Sequence, residues 1–239
     1  MTEAILLALL TLVASGVGTA TGFGTSTIMV PVLALFIPLP ATLLFVGIIH
    51  LFGDVWKMLL FRKGSEWKLI LGFGISGIAA SYIGAGLAFQ AQGLPLHKML
   101  GLFLMIYVGF LFTNRQWALP RNNGTAVAGG ILSGLSAGFF GVGGAVRGAF
   151  LTAFNLPRDV YLFTSGIIAF FIDITRITRY FLGGVAPGGN LLTALVLCIP
   201  LSFAGAYFAK RFLDRLPQND FRPFVGAFLF LVAVRLVLS

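Results

Sequence analysis

Apolar stretches such as Ala41 to Phe61, Leu69 to Phe89 and Met99 to Phe112 constrain this chain more than any motif, because each has the composition of a bilayer-crossing helix. In hydrocarbon every backbone N–H and C=O must be satisfied within the protein, which leaves only helices and closed barrels able to span. The stretches are continuously apolar rather than alternating, so helices are expected. With 58% hydrophobic and only 10% charged residues, little chain remains for a soluble domain. The expected fold is an all-α polytopic membrane protein without an extramembrane catalytic module. The net charge of +9 sits in short loops, where it orients a membrane protein. No basic run stands beside stacking aromatics on a polar face, so nucleic acid is not an expected partner. The single cysteine, Cys198, excludes an intrachain disulfide framework and a cysteine-based zinc cluster. Met1-Thr2-Glu3 lacks the positive n-region of a secretory signal, so the apolar stretch behind it is expected to stay.

Glycine interrupts the first apolar segment. After Ala4 to Val17 come Gly16, Gly18, Gly22 and Gly24 with Thr19, Thr21, Thr25, Ser26 and Thr27 among them. Each glycine inside a helix costs roughly 1 kcal/mol relative to alanine, and the hydroxyls can satisfy backbone groups freed by a break. The spacing predicts a helix, a glycine elbow, and a shorter helix over Ile28 to Ile37 that stops at Pro38 and Pro40. Three spans follow, separated by the basic loop Arg62 to Lys68 and a turn at Gly93-Leu94-Pro95. Beyond the polar stretch Thr113 to Gly124 the pattern returns without gaps. Gly22-Phe23-Gly24-Thr25 falls on Gly141-Val142-Gly143-Gly144, Pro38 on Pro157, Gly47 on Gly166, Asp54 on Asp173 and Lys57 on Arg176. With small shifts, Ser81 to Ala85 matches Ser202 to Ala206 and Leu94-Pro95 matches Leu216-Pro217. The chain is an internal duplication: residues 1–112 as the first repeat, 113–124 as a cytoplasmic linker, and 125–239 as the second repeat.

The loop charges arbitrate between topologies. If every segment crosses, the basic residues divide almost evenly between the two sides. If each glycine-broken pair dips in and returns, Lys57, Arg62, Lys63, Lys68, Arg115, Arg121, Arg158, Lys210, Arg211, Arg215 and Arg222 gather on one side. The other side keeps Lys98 and Arg179, with Arg176 and Arg235 the remaining claimants. The positive-inside rule favours the second arrangement. Each repeat is then a re-entrant pair plus three transmembrane helices, and the odd number of spans inverts one repeat relative to the other, a common transporter design. Ser65 and Gln218 are expected in the cytoplasm and Pro187 to Asn190 outside.

Charged side chains in apolar spans cost several kcal/mol, so they face a protein-lined path or site. Arg147 lies three positions after Gly144, in the first turn of the second short helix, and its repeat equivalent is Ile28. No rule common to both halves therefore demands a charge there. A cation at a helix N-terminus opposes the dipole, so a bound oxyanion or a salt bridge to Asp54 or Asp173 should compensate it. The elbows supply Gly22, Gly24, Thr25, Ser26, Gly141, Gly143 and Gly144, whose N–H groups open short helices and can hold an anion. Neither elbow is a nucleotide loop, since the Lys-Ser/Thr of a P-loop and a preceding strand are both missing. For Gly16, Gly18, Gly134 and Gly138, close helix packing competes with a lining role. Asp54 with Lys57, and Asp173 with Arg176, are three apart and share a helix face. Inversion should put one pair toward each side of the membrane, as two coupling or gating sites. His50, one turn before Asp54, can share its proton.

The doubled elbow, Pro31 nine residues after Gly22, and Arg147-Gly-Ala-Phe-Leu followed by Asp173-x-x-Arg176 and Tyr180 resemble the sulfite exporter TauE/SafE family over nearly the whole chain. The resemblance implies a bacterial inner-membrane permease for small sulfur-containing anions such as sulfite or organosulfonates. It also implies coupling to an ion gradient, with protons as the candidate ion, and adds Tyr180 to the coupling or gating set. An anion channel and a permease for a non-sulfur organic anion are the alternatives. An enzyme is not expected, because no His-Glu-x-x-His motif or nucleophile–base pair is present. Nothing implies a cofactor or a metal.

Overall fold

A computed structural model describes residues 2–91, 95–113, 119–186, 188–213 and 221–238. Gly93, Leu94, Arg115, Pro187, Arg215, Leu216, Pro217 and Gln218, all named above, lie outside the described residues. The described residues are helical with no strand: α1 (Thr2–Thr21), α2 (Ser26–Leu33), α3 (Leu39–Leu60), α4 (Trp67–Gln90), α5 (Leu96–Thr113), α6 (Asn123–Phe140), α7 (Gly143–Thr152), α8 (Arg158–Leu182), α9 (Gly189–Leu213) and α10 (Phe221–Leu238). Segments within α1, α3, α4, α8 and α9 are long and apolar enough to cross a bilayer. The eight residues of α2 and ten of α7 are too short, at 1.5 Å of rise each.

Local chemistry sets the boundaries. Pro38 and Pro157 stand just before α3 and α8, where a missing N–H costs nothing. Asn122 caps α6 by accepting from the Thr125 N–H at 2.9 Å. The first break comes later than the glycine spacing predicts, because α1 runs unbroken through Gly16 and Gly18 to Thr21. Packing overrides propensity here: Gly16 meets the Gly205 backbone and Gly18 meets Gly24. The chain turns at Gly22 and Gly24, with φ of +76° and +81°, and again at Gly141, with φ of +74°, values that L-residues with a Cβ avoid.

The helices pair by exchange between the two halves. α4 lies along α6 and α1 along α9, while α3 packs on α8, α5 on α10 and α2 on α7. Glycines set the closest approaches: Gly134 and Gly138 of α6 press against the backbones of Gly77 and Ser81 of α4. Gly84 meets Leu135 as Gly205 meets Leu12 and Gly16. Helices α3 and α8 run antiparallel, since Gly47 faces Arg176 and Ile177, His50 faces Asp173, and Gly166 faces Lys57. The glycine of each half thus receives the basic side chain of the other.

Candidate functional site

The α3–α8 crossing carries five buried polar side chains in one line. Lys57 Nζ donates to Asp54 Oδ1 at 2.8 Å, and Arg176 Nε donates to Asp173 Oδ1 at 2.7 Å. Between them, His50 Nδ1–H donates to Asp173 Oδ2 at 2.6 Å and lies 3.3 Å from Asp54 Oδ2. All five are at most 2% exposed. The two acid–base pairs therefore do not stand apart as two gates, one toward each side. They join through His50, because the antiparallel crossing brings the middle of α3 against the middle of α8. The two carboxylates balance Lys57 and Arg176 formally, so a proton taken up by the imidazole changes the net charge of the network. The ligand atoms of His50, Asp54 and Asp173 lie within 4.8 Å of one another. Lys57 and Arg176 already neutralise both carboxylates, so this donor set suits a proton better than a metal cation.

The elbows close on this network. A Cβ on Gly24 would strike His50 Nε2, and one on Gly141 would lie 3.4 Å from Arg176 Nη1. Both nitrogens are buried without a hydrogen-bond partner. Thr25 Oγ1 donates to Ser15 Oγ at 3.4 Å, and Ser26 is buried in the first turn of α2. The two elbows also touch each other, since Gly144 lies against the Phe23 carbonyl, and Gly143 packs on the Ser133 carbonyl and Ala137. These approaches account for the missing side chains at Gly143 and Gly144. Neither α2 nor α7 has a side-chain N-cap. Tyr180 Oη donates to the Gly138 carbonyl at 2.5 Å and ties α8 to α6.

Arg147 stands apart from the network. Its Nε–H donates to Ser165 Oγ at 2.9 Å, while Nη2 is buried and has no hydrogen-bond partner. The side chain is 1% exposed. Asp54 and Asp173 are engaged by Lys57, His50 and Arg176, and among the described residues Arg147 forms no ion pair. A buried guanidinium with no carboxylate near it costs several kcal/mol unless an anion arrives. Ser165 was not singled out from the sequence, although a signal was available. Its repeat equivalent is Val46, as that of Arg147 is Ile28, and both equivalents are buried apolar residues. The hydrogen-bonded pair is polar in one half only. His50 breaks the duplication in the same way, because its equivalent is Ala169.

Comparison with curated proteins gives no match. Comparison with protein families matches residues 7–236 to Sulfite exporter TauE/SafE, from the second turn of α1 to the last of α10. That span takes in both elbows, the network at the α3–α8 crossing and Arg147, so the chain belongs to the TauE/SafE sulfite exporter family of membrane permeases.

Proposed function

We propose that the protein is a secondary carrier that moves small sulfur-containing oxyanions, sulfite or organosulfonates, out across a bacterial inner membrane by alternating access. The observation that carries this reading is Arg147, a buried cation that lacks a carboxylate partner. A guanidinium offers a fork of donors matched to an oxyanion. Ser165 holds Nε and leaves Nη2 for a ligand. The first turn of α7, one turn before Arg147, has no side-chain cap, and a helix N-terminus favours the same anionic charge. Proton coupling is supported by His50, whose ring joins the two halves at one point and whose protonation changes the net charge of the network.

Inverted repeats fit the same reading. A two-fold axis normal to the membrane would make equivalent helices parallel, whereas α3 and α8 are equivalent and antiparallel. Alternating access then needs only that the contacts of one half exchange with those of the other.

The test is anion binding by the purified protein. Sulfite should raise the melting temperature of wild type and leave Arg147→Gln unshifted. Arg147→Lys should fold but bind about tenfold more weakly, a loss of about 1.4 kcal/mol. An Arg147→Gln protein that binds sulfite as tightly as wild type overturns the assignment.

A further inference from the structure

A cavity of ≈ 190 Å³ lies where α1 ends, α7 ends and α8 begins. Its polar lining is Thr21, Thr152, Asn155, Arg158 and Tyr161, with Gly22 at its inner edge. The cavity sits at the end of the molecule that gathers basic side chains. There Lys63 pairs with Asp159 at 2.7 Å, and Lys210 and Arg121 donate to the Leu60 and Ala153 carbonyls at 2.5 and 3.0 Å. Such a face raises the local concentration of anions before any specific contact is made.

Tyr161 joins the cavity lining to the first elbow and to α7. A Cβ on Gly22 would come 2.8 Å from the Tyr161 hydroxyl, and one on Gly148 would come 3.3 Å from it. The phenol is therefore wedged between the first elbow and α7. Gly148 follows Arg147 directly, and Ser165, which holds Arg147, lies one turn beyond Tyr161 on α8. The ring thus lines the cavity and lies against the residue that follows Arg147. The first half has no counterpart, because the equivalents of Arg158 and Tyr161 are Leu39 and Thr42, both buried. Resting on the assignment of Arg147, we propose that this cavity is an access vestibule for small oxyanions, with Arg158 as the first cation they meet and the Tyr161 ring as the gate they pass to reach Arg147. The structure is then the state open to the basic face.

Association and release of radiolabelled sulfite by the detergent-purified protein test the gate. Tyr161→Ala should release bound sulfite at least about tenfold faster, and Arg158→Gln should slow its association about tenfold at low salt. Arg158→Lys should recover the association rate, and Tyr161→Leu keeps the test open should the alanine variant not fold. Independently of any anion, Thr152→Cys in a Cys198→Ala background should react with a water-soluble maleimide. Wild-type release and association rates in the Tyr161 and Arg158 variants, measured beside an Arg147→Gln protein that has lost binding, overturn the vestibule alone. An unreactive Thr152→Cys does the same. Retained binding in Arg147→Gln removes instead the site on which the vestibule depends.

Discussion

Asp173 accepts from Arg176 and His50, and its burial leaves no water to replace either donor. Breaking one member of a buried ion pair strands the other, at about 3–5 kcal/mol. Asp173→Asn should therefore lower the apparent melting temperature sharply, because Arg176 would stay buried with an uncharged neighbour. His50→Gln is the gentler change, since Lys57–Asp54 and Arg176–Asp173 both survive it. If the imidazole carries the coupling proton, His50→Gln should abolish sulfite accumulation driven by a pH gradient while sulfite–sulfite exchange across proteoliposomes continues. Full gradient-driven accumulation in His50→Gln would remove the histidine from coupling. The sequence supplied each member of this network but not their meeting, because His50 and Asp173 lie 123 residues apart.

At the scale of elements, the α4–α6 and α1–α9 contacts depend on glycine for a steric reason. Side chains on either helix would hold the backbones apart, and packing rather than a hydrophobic drive joins helices in lipid. On α4, a Cβ at Gly84 would come 2.6 Å from the Leu135 carbonyl, whereas at Gly74 it would meet nothing within 4 Å. Gly84→Leu should destabilise the protein by about 1–3 kcal/mol or more through overpacking. Gly74→Ala should be neutral, or stabilising by roughly 1 kcal/mol from helix propensity. Melting of the two variants in the same detergent checks the contrast, and equal melting temperatures would deny Gly84 its packing role. Arg179, near the end of α8, stacks over Tyr82 and Phe89 at 5.4 and 5.6 Å from their centroids.

For the whole molecule, the exchange pairing of α1 with α9 and α6 with α4 makes a direct topological prediction. Phe36 and Asn155 occupy equivalent positions, just before α3 and α8. In a Cys198→Ala background, Phe36→Cys and Asn155→Cys should react with an impermeant thiol reagent from opposite sides of the membrane, and Ser65→Cys should share the side of Asn155→Cys. Reaction of the Phe36 and Asn155 replacements from one side would make the repeats parallel and undo the inverted reading. Positive-inside charge assigns the Ser65 side to the cytoplasm.

The sequence by itself determined the membrane class and the glycine elbows, and its aligned halves marked Arg147 as a charge without a charged equivalent. Those features are local: apolar length, backbone freedom at Gly22, Gly24 and Gly141, and residue identity at aligned positions. The tertiary structure decided three further things. It carried α1 through Gly16 and Gly18, because a neighbouring backbone fills the space each glycine leaves. It merged two acid–base pairs into one network, because antiparallel helices that cross at their midpoints bring central residues together. It gave Arg147 a serine rather than a carboxylate, because both membrane-buried aspartates were already claimed by nearer cations. Each outcome depends on which residues of separate helices come level with one another, and that register is fixed by packing.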